Sequence, residues 1–271
     1  MRVLAHRIAR YFSLFLYFKK INFLERLAYR FNFYLFLASV FSQAFFNLFF
    51  FKIIFSWVGN LRGWNFHQAL LIVATVMLVD GLMWIAFAYV YNLKYQIGNG
   101  TLDGILTKPA ESQFLVSVYR GDLEDLMRII TGVGVLIFSV SHLDLGGWFL
   151  FSNLFWYLLL LFNALVIVYS LALALICVSF WTIDSSMSFF LVESIIRSAQ
   201  YPTDIFKKGL SRMFFTFGMP LAFLGTVPAR VFSSGFDGLW ILASSLTALA
   251  FFLVSRFIWK KGLAKYSSAS S

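Results

Sequence analysis

The sequence predicts an all-α integral membrane protein that crosses the bilayer six times, and three observations predict it. Of 271 residues, 61% are apolar and 13% charged, against about 45–50% and about 25% in soluble domains. Phe alone fills 35 positions, more than the interior of a water-soluble fold of this length can hide. The apolar residues also gather into stretches suited to a hydrocarbon layer about 30 Å thick.

Residues 1–30 are the most basic part of the chain, with Arg2, Arg7, Arg10, Lys19, Lys20, Arg26 and Arg30. Leu4, Ile8, Tyr11 and Phe15 recur at helical spacing while Arg2, His6 and Arg10 fall on another side. That pattern predicts an amphipathic helix in the headgroup plane. The apolar stretch behind it is too long for a signal peptide, and no small-residue cleavage site ends it. The transmembrane domain is expected over 31–258, with spans at about 31–55, 68–92, 126–143, 148–180, 210–229 and 238–258. Residues 259–271 form a tail.

Orientation follows from counting basic residues. With the N-terminus inside, the cytoplasmic regions hold seven, four, four and four Lys and Arg. The outer side keeps Lys52, Arg62 and Arg230. Nineteen against three is a strong positive-inside bias, and six crossings return the C-terminus to the cytoplasm. The net charge of +10 is spread beside apolar segments, where it meets anionic membrane lipids. It forms no basic groove, so no nucleic acid partner is expected.

Few residues suggest chemistry. Cys177 is the single cysteine, which excludes an internal disulfide. His6, His67 and His142 are far apart in sequence, and no close pair has metal-ligand spacing. Ser185, Ser186 and Ser188 have no nearby His, and no glycine-rich phosphate loop occurs. No catalytic residue, metal or cofactor is expected in this chain.

Four segments carry the functional expectations. The loop between spans two and three reads Gly98-Asn99-Gly100-Thr101-Leu102-Asp103-Gly104-Ile105-Leu106-Thr107-Lys108-Pro109. Thr101 can cap a short helix, Asp103 suits its positive end, and Pro109 stops it. Leu102, Ile105 and Leu106 share one face. Such a helix either docks into a partner's groove or rests on the membrane as a connector. Next come Arg120, Asp122, Glu124 and Asp125, a solvated helix entry or a contact for a cytoplasmic partner. Asp122 and Asp125 are expected to cap the third span there.

The third segment, 181–208, reads as a cytoplasmic elbow feeding the fifth span. It carries a stripe of Phe189, Val192, Ile196 and Ala199, the pair Glu193 and Arg197, and then Pro202 and Asp204. On the outer side Pro220, Gly225, Pro228, Gly235 and Gly238 interrupt the pattern, and a short re-entrant element that includes Arg230 is expected at roughly 223–238. Within the spans, Asp80 is the one acidic residue near a centre. Its charge costs about 2.5–3.5 kcal/mol at that depth, so it must face protein, water or a partner. Gly81 beside it permits close helix approach.

Two segments carry a family resemblance. Gly100, Leu102, Asp103, Ile105, Leu106 and Pro109 are similar to a Gly-x-Leu-Asp-x-Leu-Leu-x-Pro-like pattern, with Ile105 where Leu is usual. Tyr201-Pro202-Thr203-Asp204-Ile205-Phe206, Met219-Pro220-Leu221-Ala222-Phe223 and Val227-Pro228-Ala229-Arg230 resemble a second, C-terminal signature. Both belong to permease subunits of ABC-2 type ABC transporters, in a six-span bacterial branch once catalogued as of unknown function. The resemblance implies a non-catalytic subunit of an exporter in the bacterial cytoplasmic membrane. Residues 100–109 would be its coupling helix, seated on a separate nucleotide-binding ABC ATPase subunit that holds ATP and Mg. A second permease chain, identical or related, would complete the complex. The Phe-rich spans suggest an amphipathic or hydrophobic cargo. The residues alone leave open an ATP-independent transporter or channel, or a membrane-embedded lipid-modifying enzyme.

Overall fold

The computed structural model describes residues 2–26, 30–122, 125–143, 145–182, 186–206 and 209–267. Apart from one isolated bridge between Leu61 and Trp64, every regular element among them is helical. α1 (Arg2–Arg26) and α2 (Arg30–Val58) come first. A tight turn then leads into α3 (Phe66–Phe87), which opens on a full capping box. Asn65 accepts from the Gln68 N–H at 2.8 Å, and the Gln68 side chain accepts from the Asn65 N–H at 3.1 Å. A 3-10 segment, Ala88–Asn92, joins α3 to α4 (Leu93–Gly98), so 33 residues run on as one largely apolar element.

α5 (Asp103–Leu106) and α6 (Ser112–Val118) then turn the chain. α7 (Leu126–Ser141) returns along α3, and α8 (Gly147–Ile176) ends in a 3-10 turn at Cys177–Phe180. After α9 (Ser186–Ser198) and a 3-10 turn at Thr203–Ile205 comes a broken pair. Its first limb is α10 (Leu210–Met213) plus a π-helical turn at Phe214–Gly218. Its second limb is a π-helical turn at Ala222–Thr226 plus α11 (Val227–Ser234). α12 (Gly238–Lys265) is last, N-capped by the Asp237 side chain.

Among the described residues, four helices are long and apolar enough to cross a membrane: Leu37–Val58, Phe66–Gly98, Phe151–Phe180 and Gly238–Lys265. The broken pair would add a fifth if it counted as one span. The chain is a multi-pass membrane protein with an all-α fold. Its Phe surplus is largely at the surface: Phe41, Phe45, Phe46 and Phe49 of α2 are all exposed, as lipid allows and water does not.

α3 is the axis of the bundle. Every residue from Ala69 to Val79 is buried. α7 lies against it because two positions lack a side chain. A Cβ on Gly81 would meet Ile129 at 2.8 Å, and one on Gly132 would meet Met77 and Leu78 at 3.2 Å. α8 joins the other side, where the buried Thr75 and Tyr157 hydroxyls meet at 3.1 Å.

The segment expected as an elbow has a different course. α9 runs antiparallel along α3, rung by rung. Phe189 packs edge-on against Trp84 near the end of α3 that leads to Thr101. Ala199 comes to the level of Ile72 and Val76, all three meeting at Gly225. Asp204 then accepts a hydrogen bond from Trp64, just before α3 begins. Residues 186–206 therefore traverse the bundle from one end to the other, and Asp204 lies at the end opposite the Thr101 loop. The stripe of Val192, Ile196 and Ala199 is buried, as its spacing predicts.

The fifth span expected at 210–229 is bent in the structure. Leu210–Gly218 and Ala222–Ser234 meet at a 66° bend around 219–221. Arg212 on the first limb and Arg230 on the second both pair with Asp204, so the open ends of the two limbs lie together. The element is a bent helix pair, called the hairpin below, whose two arginines meet Asp204 at the Trp64 end. It extends over more residues than the short re-entrant element expected at 223–238. Its tip sits deep, with Pro220, Leu221, Ala222 and Phe223 buried.

Candidate functional site

The Thr101 end carries a collar built from residues 88–120 and α1. Gly100 has φ +68, a conformation that favours glycine, and it reverses the chain after α4. The Leu102 N–H then donates to the Gln96 carbonyl at 3.1 Å. Leu102 is fully buried and Ile105 is 7% exposed, both packed in the main core with Leu93 and Leu115. The apolar face expected to enter a partner's groove is thus turned into the chain's own interior. Thr101, Gly104, Thr107, Lys108 and Pro109 face outward instead. α5 takes no side-chain cap: Leu102 holds the N-cap position in helical conformation, so Thr101 does not cap it. Asp103 lies beside Tyr266, and burial together with that carboxylate raises the Tyr266 phenol.

α1 is hooked to this collar by main-chain contacts. Arg10 donates to the Pro109 carbonyl at 2.8 Å, and the Glu111 N–H donates to the Tyr11 hydroxyl at 3.1 Å. Lys19 donates to the Ala86 and Val118 carbonyls at 3.1 and 3.3 Å, and Asn22 to the Tyr119 carbonyl at 3.4 Å. Burial pushes the Lys19 ammonium down to about 8, against the opposing pull of Asp122. The expected amphipathic helix has its bundle face filled by Phe18, Lys19 and Asn22. Phe12, Leu16, Tyr17, Phe23 and Leu24 lie exposed.

In mid-bundle, Asp80 faces protein. Its partner is Arg128 of α7, which also reaches Asp125 at 3.1 Å. Glu193 of α9 comes within electrostatic reach of the same group and pairs loosely with Arg197 at 4.0 Å. Trp84 and Tyr91 stack beside them, ring centroids 5.2 Å apart. Three helices are thereby tied at one level by charge. Asp125 is buried in this knot, which removes it from the candidate contacts for a partner, and its side chain does not cap α7. Arg120 is exposed. The Asp122 N–H donates to the Trp84 carbonyl at 3.2 Å. Glu124 lies outside the described residues.

At the Trp64 end, Asp204 is the hub. Its carboxylate accepts from the Trp64 indole N–H at 2.9 Å and pairs with Arg212 and Arg230. The Arg230 guanidinium also lies 5.6 Å from the Trp64 ring centroid. Burial opposes the charge on Asp204, but the indole N–H and the two guanidinium groups outweigh it and hold the carboxyl below the usual carboxylate range. The neighbouring Thr203 N–H donates to Thr226 at 3.0 Å. Pro202, Pro220 and Pro228 are all buried around this hairpin. Gly225 has no room for a side chain, since a Cβ would stand 2.6 Å from the Ala199 carbonyl.

Several of these pairings escape a reading along the sequence. Arg128 reads there as part of the charged helix entry beside Asp125 and counts toward orientation, although a lone carboxylate in a span calls for a cation at matching depth on the next helix. Trp64 reads as an interface marker, with nothing local pointing to Asp204. His67 and His142, distant in sequence, stack with centroids 4.6 Å apart. Among the described residues, no three His, Cys, Asp or Glu gather as metal ligands would.

These features define a membrane-embedded helical bundle with a braced collar at one end and a hairpin at the other. The sequence profile of the ABC-2 family transporter proteins matches residues 41–270, most of the chain. The protein belongs to that family, as a membrane permease component of a transport system. Family membership implies a non-catalytic subunit. No curated protein and no solved structure matches the chain.

Proposed function

We propose that this chain is the six-crossing permease subunit of an ATP-driven exporter in a bacterial cytoplasmic membrane. It would work with a second permease chain and with ABC ATPase subunits that hold ATP and Mg. The six crossings are α2, α3–α4, α7, α8, α9 and α12, with the hairpin of 210–234 entering from the outer face. α9 replaces 210–229 as the fifth crossing. By chain position this puts fifteen Lys and Arg on the Thr101 side and seven elsewhere, so the positive-inside bias still assigns the Thr101 end and both termini to the cytoplasm. The Phe-rich surface and the scarcity of charge within the bundle favour an amphipathic or hydrophobic cargo.

The observation that carries the reading is the collar. Residues 100–109 are held from within by Leu102 and Ile105 and from the side by α1. The outward row of Thr101, Gly104 and Thr107 is left open to meet an ATPase surface, with Lys108 beside it over the Tyr119 ring. A coupling element needs both properties: rigid attachment to the spans and an open face. Gly104 tests it, because nothing lies within 4 Å of a Cβ placed there. Gly104→Trp is expected to leave the fold and membrane insertion intact and to weaken co-purification of the ATPase at least tenfold. Undiminished association and transport would reject the assignment. Leu102→Asp is not a docking test, since it would bury a charge in the core.

A further inference from the structure

A groove of about 290 Å³ opens sideways between α6, α8 and α12. Its walls are apolar: Phe87, Phe114, Phe162, Leu165, Val166 and Phe252. Its mouth is charged. Glu111 at the N-cap of α6 and Arg256 of α12 meet there at 2.7 Å, and both remain partly exposed, 45% and 39%. Arg256 stands 18 residues into α12, about 27 Å from its start, which is where a spanning helix reaches the headgroups. Phe252 lies one turn deeper, and Phe162 about two turns deeper than Tyr169 of the same wall. The trough therefore runs from headgroup level into the hydrocarbon.

A polar shelf lies along the groove. Gln113 donates to the Tyr169 hydroxyl at 3.1 Å, and Ser117 meets that hydroxyl at 2.9 Å. Gln113 is 5% exposed, and its side-chain carbonyl has no hydrogen-bond partner. A buried acceptor left open costs free energy unless a donor reaches it.

We propose that this groove is a binding site for a phospholipid with a primary ammonium on its phosphate, one acyl chain lying in the trough and the headgroup at Glu111 and Arg256. The charges select that chemistry. Arg256 offers a planar fork to the phosphate, and Glu111 accepts from an ammonium that carries N–H donors. A choline headgroup has no such donor, and an anionic glycerol headgroup leaves Glu111 facing like charge. The volume sits at the low end of ligand sites, about 300–1,000 Å³, so the groove takes one chain and not a bulky cargo. Its position joins it to the collar: Glu111 follows Pro109 by two residues, and its N–H is held by Tyr11 of α1. Lipid occupancy would brace the coupling segment from the membrane side.

The experiment uses the purified chain in nanodiscs of equal parts phosphatidylethanolamine, phosphatidylcholine and phosphatidylglycerol. Lipids retained after brief detergent release are counted by native mass spectrometry. Retention of phosphatidylethanolamine about tenfold above phosphatidylcholine is expected, the ratio one charge-assisted hydrogen bond supplies. Glu111→Gln should bring the two near parity, and Val166→Trp, which fills the trough, should abolish both while the unfolding temperature stays close to the parent's. Equal retention by the parent, preference for phosphatidylglycerol, or preference surviving Val166→Trp overturns the proposal; the last would also be seen if a second copy covered the groove. The assay needs no ATPase, so its failure leaves the transport reading untouched, and failure of that reading leaves this one standing.

Discussion

The two ends of the bundle are fastened in opposite ways. At the Thr101 end, α1 grips the collar through many contacts to main-chain carbonyls and amides, spread over Pro109, Glu111, Ala86, Val118 and Tyr119. At the Trp64 end, one carboxylate holds both limbs of the hairpin and the entry of α3. A distributed brace loses little when one contact goes. A single hub loses three pairings at once and leaves its cations facing each other. The difference suits the coupling role proposed for the collar, a handle that must stay rigid.

Three measurements would break or sharpen that contrast. Asp204→Ala should have the largest effect, about 3–5 kcal/mol, because it strands two guanidinium groups and an indole N–H in a partly buried site. A thermal unfolding shift no larger than that of a collar variant would defeat the idea of a hub. Lys19→Met loses two bonds to main-chain carbonyls but also the cost of burying the ammonium, so its effect should stay below about 2 kcal/mol, with α1 still protected from protease by its remaining hooks; wholesale release of α1 would show the brace to be concentrated after all.

The smallest effect is in pH, and the two ends respond in different windows. The Asp204 carboxyl sits below its unfolded value, so its contribution is present above the ordinary carboxylate range and fades as acid approaches the folded value. Lys19 is lowered from 10.5 to about 8, so burying its charge costs most below pH 8. That cost is relieved as pH rises from about 8 toward 10.5, and α1 should become harder to digest over that interval. In the Lys19→Met protein the alkaline change should vanish while the acid loss remains.

Much of this was written in the sequence, and the failures have physical causes. The burial of Val192, Ile196 and Ala199 follows from helical spacing, and the need for a partner at Asp80 follows from the cost of a charge in lipid. Glu193 and Arg197, however, lower the hydropathy of α9 until it resembles an interfacial elbow, while the hairpin, with its exposed first limb and buried second limb, is apolar enough to pass for a span. Hydropathy reports removal from water and not the direction of travel. Leu102 and Ile105 show the same limit at smaller scale: periodicity says that one face is covered, and only the fold says that the cover is the chain's own core. Pairs such as Asp204 with Trp64, or His67 with His142, depend on chain segments brought together by the whole bundle.

Phe66–Gly98 has one more consequence. At 33 residues it is about 50 Å long, with the Trp64 turn at one tip, the Gly100 reversal at the other and the Asp80–Arg128 tie at an intermediate point. Held there, such a rod pivots: a push on one tip swings the other the opposite way. A few ångströms of displacement at Gly100 would be delivered, reversed, to the indole that touches Asp204, without any helix along the way having to change its length.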